Sequence, residues 1–572
     1  MQHYECDLLV AGSGAGGFGA AVTAAHAGLD VLMVEKEPLF GGTTAYSAGV
    51  VWIPMNEACV AAGLKDSPAE ALRYLEAEVG AGLDRAKAEA YVANAGPMLA
   101  FFERETHVRY LLMEAWSDYH PDLPGASQGG RSLLPVPFDG RELGAWFAKL
   151  RPPIRTMMLF GGMSVSRDDL PHLFNFTRSA TSAWHVAGLL ARYALDRLSH
   201  PRGTRIANGN ALIARLAKSA FERNVELWLE APLARLLRDG ARVTGARVRR
   251  NGREVEVRAR RGVVLACGGF PSSADLRARH YRHVAAGKTH VPLAPQGNTG
   301  DGVRAAQEAG AMFDAELDQP AAWTPVSLVP QADGSRVPFP HFIDRCKPGY
   351  IAVDRRGRRF ANEADSYHDF VPKLIDACKM DPETEAFLIC DHRAIRRYGL
   401  GVAPPAPMPL GPHLRNSYLT SAPTPRALAA ALGIDADGLE KTLERYNGFA
   451  AKGEDPDFGK GSNAYHRFGG DPLQKPNPNL APIVTAPFYA VRLVPSDLGT
   501  FFGLATDANA RVLDLSERPI EGLYAVGNDQ ASVMGGKYPG AGITIGPALT
   551  FGWLAARHAA GSASTPAAGA AP

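Results

Sequence analysis

The spacing of apolar positions changes along this chain, and the changes mark its elements. Asp7-Leu8-Leu9-Val10-Ala11 is an unbroken apolar run after one acid, the pattern of a strand buried on both faces. A glycine-rich turn follows, then small residues through Ala27 that suit a closely packed helix, then a second run from Asp30 to Val34. Between Val225 and Leu265 the pattern becomes alternation around Asn251-Gly252, a two-residue hairpin signal, so a β-meander is expected there. Residues 262–270 read as a short apolar strand ending in a glycine turn, and 522–529 read as another. Helical spacing appears over 425–432 and 439–451, and a last helix is expected over 545–560. Prolines cluster at 404–407 and again across 472–482. Residues 141–205 are rich in arginine and aromatics and include Met157-Met158-Leu159-Phe160-Gly161-Gly162-Met163. They read as ordinary packing, ahead of a lid or a loop in peripheral contact with a membrane.

The first turn carries chemistry. Gly12-Ser13-Gly14-Ala15-Gly16-Gly17 lies between a strand and a helix, and Glu35 ends the next strand, 23 residues after Gly12. Such glycines let the backbone approach a pyrophosphate at the helix N-terminus, and the acid can accept from ribose hydroxyls. Directly after Glu35 come Lys36 and a second glycine turn with Gly42, Thr43, Thr44 and Ser47. A second turn of this kind suits the rest of an FAD diphosphate and the flavin edge. No histidine lies in it, so a non-covalent FAD is expected. Leu233 in the meander, Gly527 and Asn528 after the late strand, and Thr544 and Ile545 at the last helix complete the candidate cofactor contacts. That helix would turn its positive end to the flavin pyrimidine. The expected fold is α/β, with a discontinuous Rossmann-like FAD-binding domain (1–283 and 486–560). An inserted α+β substrate (catalytic) domain occupies 284–485, and a disordered tail 561–572.

Composition narrows the function. The chain has 572 residues, 46% hydrophobic and 21% charged, with net charge +2. That balance speaks against nucleic acid or an anionic membrane as the main partner. Six scattered cysteines without a CxxC pair suggest neither a disulfide framework nor a metal site, so no metal is expected. The acidic start runs straight into a strand, so no signal peptide and a cytoplasmic location are expected.

Near the other end, Gly535-Gly536-Lys537-Tyr538-Pro539-Gly540-Ala541-Gly542 sets a tyrosine on a Pro-Gly turn ahead of the last helix. The turn can aim a phenol O–H and a backbone N–H at one oxygen, a pair that would polarise a carbonyl and stabilise an enolate.

These motifs resemble the 3-ketosteroid Δ1-dehydrogenase family of FAD flavoproteins, within the fumarate-reductase flavoprotein superfamily. The resemblance rests on Gly12 to Gly17, Phe40 to Ser47 with Trp52-Ile53-Pro54, Arg359 to Ala364, Asp497-Leu498-Gly499-Thr500, and Tyr538 to Gly542. It implies that Tyr538 O–H and Gly542 N–H hold the C3 carbonyl of a steroid-like ketone. Tyr367 would remove the C2 proton, Tyr119 would assist it, and flavin N5 would take the C1 hydride. A quinone or another electron acceptor is implied as partner. Trp52, Trp116, Phe313, Trp323, Phe501 and Phe502 are candidates for an apolar substrate slot. The chain departs from the family at Phe501-Phe502-Gly503, where relatives often carry Lys-Gly between the Thr and the Gly-Leu pair. Two phenylalanines make the wall narrower, which leaves C4–C5 desaturation or another cyclic ketone as alternatives.

Overall fold

The computed structural model describes residues 2–561. The expected tail, 561–572, lies outside them apart from Gly561. The described residues form two compact units: 2–280 with 294–322 and 499–561, and 281–293 with 323–498.

The first unit is built on a twisted, mostly parallel sheet. In chain order its strands are β1 (Gln2–Ala11), β2 (Val31–Val34), β3 (Glu226–Trp228), β4 (Leu233–Asp239), β5 (Arg242–Arg250), β6 (Arg253–Leu265), β7 (Arg511–Leu513) and β8 (Pro519–Ala525). They lie in the order β7-β8-β6-β1-β2-β3, with β5 and then β4 joined to β6. Leu8 to Ala11 pair in parallel with Val31 to Val34 on one side and Gly262 to Leu265 on the other. They are buried on both faces, as the unbroken apolar run requires.

The run read as a separate strand at 262–270 is the second half of β6. That strand pairs antiparallel with β5 at Arg253 to Arg258, then parallel with β8 at Val263 to Leu265. Gly262 makes the switch possible: its φ is +122°, and a Cβ there would stand 2.3 Å from the Gly522 carbonyl oxygen. The hairpin forms as expected, with φ +50° at Asn251 and +74° at Gly252.

Helix α1 (Ala15–His26) packs on α2 (Ile545–Ala559) through small residues. A Cβ on Gly552 would stand 2.6 Å from the Gly16 carbonyl oxygen. The last strand and helix of the nucleotide fold thus come from the C-terminus, and the domain is discontinuous.

The reading of 141–205 as ordinary packing holds for Leu143, Phe147, Leu150 and Met163, which are buried, and fails for other apolar residues. Phe160 (66% exposed), Trp184 (83%), Leu195 (67%) and Leu198 (84%) face solvent. Among the described residues no helix is long and apolar enough to cross a membrane.

The second unit is α+β. Its sheet runs Arg336–Pro340, Ala321–Pro330, Phe488–Thr500, Ala386–Asp391, Tyr350–Val353. Helices Pro425–Leu432 and Ala436–Ala450 bury Leu428, Leu439, Leu443 and Tyr446 against Ile351, Phe387 and Ile389. The insert expected over 284–485 differs from this unit at both ends. Residues 294–322 stay with the first unit, where Asn298 bonds Thr43 and Asp301 pairs with Lys36. The strand at 488–500 lies mostly in the second unit, because it pairs with Ala386–Asp391.

Candidate active site

The glycine loop forms a tight cradle at the end of β1. Gly12 has φ +111°, and a Cβ there would stand 2.0 Å from the Ala266 carbonyl oxygen. A Cβ on Gly17 would stand 2.0 Å from the Gly12 carbonyl oxygen. At Gly14 and Gly42, by contrast, nothing lies closer than 3.5 Å to an added Cβ. Gly14 caps α1 without a side chain, and apart from Ala15 N–H, which Thr44 takes, the first-turn N–H groups of Gly16 and Gly17 have no acceptor among the described residues and are open to a ligand. That open N-terminus between two glycines fits a pyrophosphate.

The second turn is tied to the first. Ser13 donates to Glu35 from its N–H (3.2 Å) and its hydroxyl (2.5 Å), and Glu37 N–H donates to the other Glu35 oxygen (3.0 Å). Glu35 therefore braces the loop and keeps further lone pairs for a ribose. Ala15 N–H donates to Thr44 Oγ1 (3.1 Å), and Ser47 Oγ donates to the Thr44 carbonyl (2.8 Å). Lys36 pairs with Asp301 (2.6 Å) and Thr299 (2.7 Å), so its charge is already matched within the protein. Leu233 begins β4 and packs, partly buried, against the sheet core. Gly527, Asn528 and Thr544 line one shallow cleft with Thr500, Phe501 and Pro547. Thr544 caps α2 without a side-chain bond; Gly546 N–H is taken by the Gly542 carbonyl and Pro547 has no N–H, so Ile545 N–H is the first-turn donor left without an acceptor among the described residues.

Two cradle residues had no motif to mark them. Asn298 donates to Thr43 Oγ1 (2.9 Å) and to the Gly268 carbonyl (3.2 Å). Asp529 accepts from the N–H groups of Cys267 (2.5 Å) and Gly269 (3.0 Å). Burial pushes the Asp529 carboxyl up to about 6. Each joins segments distant in sequence, and only an acid directly after Gly527-Asn528 hinted at the second.

The C-terminal turn is held by its carbonyls. Tyr119 N–H (2.8 Å) and Tyr74 O–H (2.6 Å) both donate to Pro539. Ser132 Oγ donates to Ala541 (3.0 Å), and the N–H groups of Trp52 (3.3 Å) and Gly546 (2.9 Å) donate to Gly542. Gly542 has φ +100°, and a Cβ there would stand 2.5 Å from Val51. Its own N–H has no acceptor among the described residues. The rings of Tyr119 and Tyr538 stack with centroids 5.6 Å apart, at 10°. Tyr119, Tyr538 and Gly542 therefore share one place in the first unit. The Phe501 ring lies 6.3 Å from that of Tyr538. Phe313 and Phe502 gather instead around His280. Trp52 is fully buried behind the turn, stacked on Tyr91, and is not a wall.

Tyr367 belongs to the second unit, as the first residue of helix Tyr367–Ala377. Ser366 caps that helix, its hydroxyl accepting from Asp369 N–H (3.2 Å). The preceding Asn362-Glu363-Ala364 is a clamp. Arg359 donates twice to Glu363 (2.8 Å each) and also to Asp455 (2.8 and 2.9 Å). Burial opposes the charge on Glu363, but Arg359 and Lys460 win and hold its carboxyl at about 2. Arg345 donates to the carbonyls of Glu363 (2.9 Å) and Asp365 (3.2 Å). Trp323 is packed on Tyr281, and its N–H donates to His368 Nδ1 (3.2 Å).

The FAD binding domain family model matches residues 7–545. The chain belongs to this family. Across 98% of its length it is 41% identical to the 4-oxocyclohex-2-ene-1-carboxylate 5-dehydrogenase of Sinomonas cyclohexanicum, covering 94% of that protein. It is 38% identical to the 3-oxosteroid 1-dehydrogenase of Mycolicibacterium smegmatis, over 99% of both chains. The crystal structure of 3-ketosteroid Δ1-dehydrogenase from Sterolibacterium denitrificans, in complex with 1,4-androstadiene-3,17-dione, superposes with TM-score 0.89 at 38% identity. It covers 98% of this chain and 100% of that one. The chain is thus an FAD-dependent oxidoreductase, homologous to the 3-oxosteroid 1-dehydrogenases.

Proposed function

We propose that this flavoprotein desaturates a 3-oxosteroid between C1 and C2. The observation that carries the reading is Tyr538, stacked on Tyr119 at one end of a turn whose other end is the unpaired Gly542 N–H. The two donors hold the carbonyl oxygen and acidify the neighbouring C2–H, because the negative charge of an enolate develops where they point. Tyr367 takes the role of base from its place after Asn362-Glu363-Ala364. A tyrosine with a pKa of about 10 is a poor base alone, so Tyr119 assists as a second hydroxyl. When bound, FAD would supply the two-electron oxidant needed at the C1–H. Gly14, Glu35, Thr44, Asn298 and Asn528 would hold it. The electrons leave to a quinone or a similar carrier.

An anaerobic 3-oxosteroid should bleach the bound flavin, and product mass with position-specific deuterium should place the new bond at C1–C2. A C4–C5 product would overturn the regiochemistry.

A second reading takes a smaller ring, a 4-oxocyclohexane-type carboxylate. The Phe501 ring beside Tyr538, in a stretch where relatives often carry Lys-Gly, and the 41% identity to a dehydrogenase of such a compound favour it. Turnover of both ketone classes with a dye acceptor decides between them.

The reading also includes a peripheral lipid contact through 157–198, supported by exposed Phe160, Trp184 and Leu198. Wild type should sediment with lipid vesicles. A Trp184→Ser, Leu198→Ser double variant should stay in the supernatant with unchanged turnover of a soluble ketone.

A further inference from the structure

We propose that Asp118, acting with Arg131 and Trp52, is the positioning residue that aligns Tyr119 with the Tyr538–Gly542 donor pair. The inference rests on the reading of that turn given above.

Asp118 is a hub. Its Oδ1 accepts from the Trp52 indole N–H (2.7 Å), and its Oδ2 accepts from Arg131 (2.8 Å) and from Ser127 N–H (2.8 Å). Arg131 reaches the other way to Asp66, at 2.6 Å. The Asp118, Arg131 and Asp66 side chains are 1%, 2% and 1% exposed. A buried ion triad of this kind is seldom more stabilising than apolar residues of the same size, since desolvation offsets the attraction. Its place in the fold, directly behind the donor turn, suggests what it does instead.

The turn is cast against this triad. A Cβ on Gly540 would stand 2.6 Å from Trp52 Cδ1 and 3.3 Å from Asp118 Oδ1. A Cβ on Gly542 would stand 2.5 Å from the Val51 main chain and 2.6 Å from the Trp52 main-chain nitrogen. The Trp52 main chain also donates to Gly542, and Tyr91 O–H closes on the Trp52 carbonyl. The Arg131 guanidinium lies over the rings of Trp52 (5.5 Å) and Tyr74 (5.8 Å), and Tyr74 O–H caps Pro539. Tyr119 follows Asp118 directly, with its own N–H on Pro539. One carboxylate therefore sets the indole under Gly540, the guanidinium behind Tyr74 and the backbone that carries Tyr119. Asp66 shares the arginine but, among the described residues, makes no bond to the turn; its other bonds go to the N–H groups of Met55 and Ser67.

This asymmetry gives the test, made on the FAD-loaded enzyme with a 3-oxosteroid and a dye acceptor. Trp52→Phe removes the indole donor together with the five-membered ring packed beneath Gly540, Asp118→Asn removes the charge that receives it, and Asp66→Asn loosens the far end of the same triad. Trp52→Phe and Asp118→Asn should lower kcat about 30-fold or more, approaching the roughly 100-fold that a 1 Å misplacement can cost, with KM changed less than about threefold and FAD per chain unchanged. Asp66→Asn should lose a similar Tm but keep kcat within about threefold of wild type. The proposal is overturned if kcat falls in step with Tm across all three, or if Trp52→Phe turns over like wild type. Should Asp118→Asn fail to fold, the contrast between Trp52→Phe and Asp66→Asn decides. Should Tyr538→Phe itself leave turnover intact, the reading of the turn has failed. If Tyr538→Phe abolishes turnover and Trp52→Phe does not lower it, only this inference has.

Discussion

The two proposed catalytic tyrosines of the two units are held by opposite means. Around Tyr538, the bonds made on the turn itself come from neutral donors, Tyr74, Tyr119 and Ser132 closing on main-chain carbonyls, with glycines where a Cβ would collide and the Asp118–Arg131–Asp66 ion triad one layer behind. Behind Tyr367, charge does the holding, through Arg359 between Glu363 and Asp455 with Lys460 alongside. Neutral bonds are individually small and fail one at a time. A buried ion clamp is neutral or costly when whole and fails at once when one partner is removed. The turn should therefore degrade gradually in stability and sharply in rate, and the clamp should do the reverse.

The contrast breaks most easily at Arg359. Arg359→Met leaves two buried carboxylates facing Lys460 alone, and should cost about 3–5 kcal/mol of second-unit stability. Calorimetry reads it, and a loss below about 1 kcal/mol would make the clamp no different from the turn. Tyr538→Phe is the counterpart. It keeps the ring stacked on Tyr119 and removes one donor, so kcat should fall about 10²–10³-fold with Tm nearly unchanged.

pH separates the two regions by sign. The folded pKa of Glu363, about 2, lies below its ordinary 4.5, so its stabilisation is present above pH 4.5 and is lost as pH falls toward 2. Asp529 in the first unit is opposite: its folded pKa, about 6, lies above 3.8. The cost of its buried charge is full above pH 6 and disappears as pH falls toward 3.8. Hydrogen exchange followed from pH 7 to 4.5 should show the first unit gaining protection around Cys267 to Gly269 while the clamp around Glu363 holds; below 4.5 the clamp should loosen. The smallest effect belongs to Ser132→Ala, which frees the Ala541 carbonyl and should cost about 1 kcal/mol in a denaturant titration.

The first unit was largely legible in the sequence. Its apolar runs, the Asn251-Gly252 turn and the glycine loop each follow from local geometry. The unity of β6 was not, because a strand that changes partners halfway looks like two strands around Gly262. Nor was the solvent exposure of Trp184 and Leu198, since an apolar residue in a sequence carries no sign of which face it will take. In the site, Tyr538 and Gly542 stood out through their turn. Tyr74, Asn298 and Asp118 did not, because a single polar residue without a motif gains its meaning only from what the fold brings to it.

The sequence by itself determined the nucleotide cradle, the hairpin and the Tyr538–Gly542 turn, since positive φ, close backbone approach and strand burial select residues one position at a time. Only the tertiary structure decided that Tyr119 would stack on Tyr538, that Asp118 would sit beneath Gly540, and that Asn362-Glu363-Ala364 would be a buried clamp. Those arrangements join segments far apart in the chain, and pairings at such separation leave no periodicity to read.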